Sequence, residues 1–129
     1  MTAGDAGALG LRGETVAADV LARRGYRIIE RNCRSRWGEL DVVAYDGDTL
    51  VFVEVKARRA AGFGEPAYAV DHRKQERLVR LAERYLARRR LGEPPCRFDV
   101  VLIDERETRA PRVEVIANAF DAGCRGWRR

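Results

Sequence analysis

Between Leu11 and Arg24 the apolar side chains fall at Val16, Ala17, Val20 and Leu21. That spacing keeps them on one side of a helix, and Gly25 supplies its stop. The pattern then changes. Tyr26 to Asn32 is short and rich in β-formers, and Ser35-Arg36-Trp37-Gly38 reads as a turn. Leu40, Val42 and Ala44 alternate with Glu39, Asp41 and Val43, after which Asp46-Gly47-Asp48 carries hairpin-turn chemistry. The returning strand runs from Thr49 to about Arg58. Residues 59–66 have no periodicity and form a loop able to move on ligand binding.

Asp71 is placed to cap a long helix reaching Leu91, with Leu78, Leu81, Ala82, Tyr85 and Leu86 on one face. Gly92 and Pro94-Pro95 end it. Phe98 to Ile103 is a buried-strand run, Glu105 to Pro111 a charged turn, and Arg112 to Ala119 a last strand. Asp121 to Arg129 reads as a loose tail. The order αβββαβ plus one more strand predicts an α/β fold, a mixed β-sheet with flanking helices, in a single domain whose ordered core spans about residues 10–120.

The 129 residues suit one domain, and 46% hydrophobic content is enough for one core. The longest central apolar run is Leu50-Val51-Phe52-Val53, and the first residues lack a basic-then-apolar signal. The expectation is a cytoplasmic protein with no membrane partner. Cys33, Cys96 and Cys124 are odd in number and widely spaced, which predicts reduced thiols and no zinc site. The formal charge is +5. Asp71 to Arg90 alone holds eight Lys/Arg against three Asp/Glu, a surplus as large as that of the whole chain. A polyanionic partner fits this distribution.

On the strand Thr49 to Arg58, Val51, Val53 and Val55 share one face, whereas Leu50, Phe52, Glu54 and Lys56 share the other. Charges therefore stand where a covered sheet wants apolar groups. A turn at Gly47-Asp48 sets Asp41 opposite Glu54 and Glu39 opposite Lys56. A turn at Asp46-Gly47 instead sets Glu39 opposite Glu54, with Asp41 on the diagonal. Either register keeps all four charges on one face. Two carboxylates ~5 Å apart repel by roughly 3 kcal/mol at an effective dielectric near 20, so something positive belongs between them. A hard divalent cation held by Asp41 and Glu54 meets that need. Lys56 is also informative, because Lys56 and Lys74 are the only lysines among 25 basic residues. A compact ammonium can approach a phosphate closely. The competing account is a cross-strand salt-bridge ladder of Glu39, Asp41, Glu54 and Lys56, each pair contributing ~0.2–1 kcal/mol.

Gly13-Glu14, Gly25-Tyr26, Arg31-Asn32, Gly38-Glu39-Leu40-Asp41, Val51-Phe52-Val53-Glu54-Val55-Lys56 and Arg97-Phe98-Asp99 together resemble the bacterial YraN family, also called UPF0102. That family is similar to Holliday-junction resolvases and to the PD-(D/E)XK nuclease superfamily, whose restriction-endonuclease-like core has the αβββαβ order. The resemblance implies that Glu14 is the acid of the first helix, Asp41 and Glu54 the metal ligands, and Lys56 the catalytic lysine. Gln75 matches a helix-borne polar group of some relatives. Leu40 departs from the proline of the superfamily pattern. Glu14 also suits the N-terminal turn of a helix on electrostatic grounds alone. Asp99 with Arg97 reads as a structural ion pair outside the site.

The implied activity is a Mg²⁺- or Mn²⁺-dependent nuclease hydrolysing phosphodiester bonds in DNA, with junction or branched DNA as a candidate substrate. Arg73, Lys74, Gln75, Arg77, Arg80 and Arg84 are then the nucleic-acid-binding residues. Trp37, Phe63 and Tyr68 are the aromatic groups available for base stacking. A homodimer is implied by the resolvases, with Leu9 or Trp127 as contacts. The alternative is a non-catalytic nucleic-acid-binding adaptor that keeps the fold and uses its acids as a salt-bridge network.

Overall fold

The computed structural model describes residues 3–58, 70–104 and 112–120, with side chains of the first stretch from 13 to 57. The loop at 59–66, the turn at 105–111, the tail at 121–129, Phe63, Tyr68, Cys124, Trp127 and the Leu9 side chain lie outside the described residues. The elements run α1 (Ala3–Arg23), β1 (Arg27–Ser35), β2 (Gly38–Asp46), β3 (Thr49–Arg58), α2 (His72–Arg89), β4 (Cys96–Asp104) and β5 (Arg112–Phe120). This is the predicted order. One five-stranded sheet holds the strands in sequence order, antiparallel except where β3 and β4 pair parallel across α2.

α1 begins at Ala3, earlier than Leu11. Gly4, Gly7 and Gly10 are poor helix formers and mask the extension in the pattern. Its end is as expected. Gly25 takes φ +97, and the Tyr26 and Gly25 N–H groups donate back to Leu21 and Ala22 carbonyls, both at 3.0 Å, a closing motif that needs the left-handed region. On α2 the Asp71 side chain caps the Lys74 N–H at 2.9 Å. The helix stops at Arg89 rather than Leu91, because Arg90 adopts the left-handed conformation at φ 54. Leu91 N–H closes onto the Leu86 carbonyl, and Gly92, also at positive φ, turns the chain toward Pro94.

The helices cover opposite faces of the sheet. Ala17 and Leu21 of α1 pack on Val42, Val51, Val53, Val101 and Ile103. Leu78, Leu81, Ala82 and Tyr85 of α2 pack on Val43, Leu50, Phe52, Phe98 and Val100. The β3 alternation is what makes both cores possible, since its odd valines feed one and Leu50 and Phe52 the other. Phe52 anchors the second core with its ring 5.9 Å from Tyr85 and 5.6 Å from Phe98. Among the described residues no helix is long and apolar enough to cross a membrane. Cys33 and Cys96 are buried and unbridged.

The β2–β3 hairpin turns at Gly47-Asp48, with Gly47 at φ +60. Asp46 pairs with Thr49 and Val42 with Val53. That is the register that sets Asp41 toward Glu54, and the alternative turn at Asp46-Gly47 does not form. The pairing stops at Val42 and Val53, so Glu39 and Lys56 are never ladder partners. Beyond that point β3 keeps only its pairing with β4, and the Asp41 carboxylate takes over as acceptor for the Val55 N–H at 2.8 Å. A carboxylate substitutes for the missing backbone carbonyl.

Candidate metal and nucleic-acid site

The strand divergence opens a cavity of about 410 Å³ between the end of the hairpin and α2. Glu14 enters from α1, Glu39 and Asp41 from β2, Glu54 from β3, and Lys74 and Arg77 from α2. Helical spacing puts Glu14 on the turn before Ala17 and Ala18, small residues that bring α1 close to the sheet. Glu14 and Glu54 keep only 7% and 6% of their surface exposed. Burying ionised carboxylates is costly unless each oxygen finds a donor or a cation.

The donors are too few. Asp41 has the Val55 N–H, Glu39 has Arg34 at 3.3 Å, and Glu54 is paired with the Lys74 ammonium. One oxygen of Glu14, Oε2, is buried with no hydrogen-bond partner. Burial, then the facing Glu54 charge, pushes the Asp41 carboxyl up to about 8 against the lowering effect of the Val55 N–H. Burial and the Glu39 carboxylate push Glu14 up to about 7, with Arg31 opposing. Three acids, Glu14, Glu39 and Asp41, offer one oxygen each within 4.8 Å of one another. Oxygens on a single octahedral ion with ~2.1 Å bonds span at most ~4.2 Å, so a small closure suffices for a hard divalent cation. Such a charge would supply what Glu14 lacks.

A second groove, about 480 Å³, continues from this cavity along α2 and shares Arg77 and Leu81 with it. Arg73, Arg77, Arg80 and Arg84 line it. Their spacing of four, three and four residues makes one stripe on the helix, ~16 Å long at 1.5 Å per residue. The acid cavity thus opens onto a basic track.

The model of an uncharacterised protein family, UPF0102, matches residues 13–103. The chain belongs to the UPF0102 family. It is 52% identical over 114 residues to a UPF0102 protein of Symbiobacterium thermophilum, covering 88% of this chain and 97% of that one. A UPF0102 protein of Geobacter sulfurreducens is 51% identical over 113 residues, covering 88% of each chain. One from Moorella thermoacetica is 50% identical over 109 residues, covering 84% of this chain and 91% of the other.

In this UPF0102 chain, Glu14, Asp41 and Glu54 of the sequence reading come together in one cavity. Lys56 does not join them. It is half-buried further along β3, pairs in register with Leu102, and is absent from the cavity lining. Lys74, read from sequence as a phosphate contact, instead holds Glu54. Gln75 is spent locally, its amide donating to the Val70 carbonyl at 2.6 Å ahead of the helix. Arg73, Arg77, Arg80 and Arg84 share the basic groove. Glu39 was legible only as part of the charged face. The signal for it is the Glu39-Leu40-Asp41 spacing, which holds two acids on one side of a strand.

Proposed function

We propose that this chain is a metal-dependent nuclease that hydrolyses phosphodiester bonds in DNA. The observation that carries the reading is the set of under-compensated carboxylates, with a buried Glu14 oxygen lacking any partner, at the mouth of an arginine-lined groove. Asp41, Glu14 and Glu39 would hold Mg²⁺ or Mn²⁺, with Glu54 beside them. When bound, the ion supplies charge stabilisation at the phosphate and acidifies a water. The protein's own part is positional. Val55 N–H fixes the Asp41 carboxylate, Lys74 fixes Glu54, and the α2 arginines align the strand by contacts that carry no sequence information. An ammonium near the phosphate comes from Lys74, which lines the cavity, or from Lys56, the lysine that the family resemblance singles out.

The test incubates labelled duplex, single-stranded, flap and four-way-junction DNA with Mg²⁺, Mn²⁺ or chelator. Cutting is expected only with metal, and Asp41→Asn and Glu54→Gln should lower it about 100-fold or more. Lys56→Ala and Lys74→Ala identify the lysine that matters. The Lys74–Glu54 pair favours a second reading, an adaptor whose acids are structural. Binding without metal-dependent cutting on every substrate would establish the adaptor and refute the nuclease.

A further inference from the structure

The β1–β2 hairpin presents Trp37 beside the basic track. Only Arg36 and Trp37 separate the two strands, so the turn has little freedom. Ser35 Oγ accepts the Trp37 N–H and donates to the Gly38 carbonyl, both at 3.2 Å. Gly38 sits at φ +144, and a Cβ there would lie 3.1 Å from Leu81 Cδ1. Glycine thus lets the hairpin press directly against α2. Despite this anchoring, Trp37 is 50% exposed, the one exposed large hydrophobic side chain among the described residues. One exposed aromatic is ordinary on a protein surface; what sets Trp37 apart is that its turn is fixed by Ser35 and that it stands among the arginines of α2.

Its surroundings suit a nucleobase next to phosphates. The Arg84 guanidinium stacks 3.6 Å over the ring, and the exposed Arg36 lies 5.0 Å from the ring centre. Trp37 also lines the groove of Arg73, Arg77 and Arg80, in which Glu76 is the sole carboxylate among the described residues. In a duplex the base faces are stacked on one another, so a single indole cannot reach them. An unpaired base can lie on it.

We infer that Trp37 is a specificity-determining residue that stacks an unpaired nucleobase, with the flanking phosphates on the α2 arginine stripe. The site therefore selects DNA with a single-stranded stretch over continuous duplex. This rests on the nucleic-acid reading above and deepens it. The contact is sequence-tolerant, because every base offers a π face.

The experiment uses the full chain in chelator, so that binding is read without cutting. Affinity for a 20-nucleotide single strand and for the matching duplex is measured for wild type, Trp37→Ala and Trp37→Phe. A Trp127→Phe variant leaves Trp37 as the sole indole, since the chain has two. Single-stranded DNA should quench that fluorescence. Trp37→Ala should weaken single-strand binding about 10-fold or more, with duplex affinity within about twofold, and Trp37→Phe should recover most of the loss. Circular dichroism of each variant checks that it folds. Equal loss on both DNAs, no loss on either, or no quenching would overturn the stacking role while leaving the nuclease proposal intact. Failure of wild type to bind any polynucleotide would sink both. Quenching and selective loss without metal-dependent cutting would support the stacking role and refute the nuclease.

Discussion

Asp41 and Asp99 do the same structural work and have opposite electrostatic surroundings. Each accepts a strand N–H where sheet pairing is irregular: Asp41 from Val55 at 2.8 Å, where β2 and β3 part, and Asp99 from Asn118 at 2.9 Å, beside the register shift between β4 and β5. Around Asp99 everything else donates. Arg97 forks onto both oxygens at 2.8 and 3.0 Å, and Tyr26 donates its hydroxyl at 2.8 Å. Arg97 also reaches Asp46 at 2.9 Å. Around Asp41 stand Glu54, Glu14 and Glu39. Buried Asp99 completes its hydrogen bonds within the fold, and half-buried Asp41 leaves a demand for positive charge that the described side chains do not meet. The first pattern is that of a structural residue; the second is the one on which the proposed metal site rests.

The largest expected effect of breaking this comparison is on the Asp99 side. Asp99 is fully buried, and Asp99→Ala takes the acceptor from the Tyr26 hydroxyl and the Asn118 N–H and leaves Arg97 with Asp46 as its remaining carboxylate. Removing one partner of a buried, hydrogen-bonded ion pair costs about 3–5 kcal/mol. Denaturant unfolding should show that loss, with the metal response of the remaining folded protein unchanged. A loss below about 1 kcal/mol would mean that Asp99 is no anchor.

On the Asp41 side the prediction reverses. Asp41→Asn keeps an oxygen for the Val55 N–H and removes one of the crowded charges, so the metal-free protein should be as stable as wild type or more so near pH 8. What it should lose is stabilisation by Mn²⁺ or Mg²⁺, which for wild type reaches about 2.7 kcal/mol at 100 times the dissociation constant. Thermal scans with metal and with chelator measure both. An identical metal response in Asp41→Asn and wild type would remove Asp41 from the ligand set.

The two clusters also differ in how readily the sequence revealed them. The element order, the Asp71 cap and the β3 alternation were legible because period and turn chemistry are local. The Arg97-x-Asp99 pair was legible for the same reason. Glu14, Asp41 and Glu54 were connected through the hairpin register and the family resemblance. Neither could show that β2 pairs with β3 only from Val42 onward, leaving Glu39 and Asp41 outside the ladder, and that gap shapes the candidate site. It carries Glu39 into the cavity, leaves Lys56 out of the lining, and lets Lys74, distant in sequence, reach Glu54. Helix-to-strand ion pairs depend on docking, which no window of sequence contains.

A smaller effect should appear in the pH dependence of stability. Asp41 and Glu14 have folded values raised to about 8 and about 7 by burial and neighbouring acids. Between the ordinary carboxylate range near 4 and these values, the folded state binds more protons than the unfolded one, so stability falls as pH rises through that window. Below about 4 both states are protonated and the difference vanishes. Metal-free wild type should therefore lose stability from about pH 5 to pH 8, and Asp41→Asn should flatten most of the decline. Saturating Mn²⁺ should flatten it too by replacing the protons. A wild-type profile that rises across this range would contradict the crowded-carboxylate picture.

The finest distinction lies in Lys74, which gives Glu54 some of what Arg97 gives Asp99. Arg97 is a planar fork satisfying two oxygens at once, whereas Lys74 is a single, partly exposed ammonium on Glu54. The ammonium is partly exposed and can be displaced, but Glu54 is buried, so losing this partner has a cost. Lys74→Met should lower the unfolding free energy by about 1 kcal/mol or somewhat more, less than Asp99→Ala. It should tighten Mn²⁺ binding a few-fold, because the ion no longer competes with an ammonium for Glu54. Isothermal titration reads that change. If Lys74→Met weakens Mn²⁺ binding instead, Lys74 organises the carboxylates rather than occupying them, and the Asp41 cluster stands closer to the Asp99 kind than its crowding suggests.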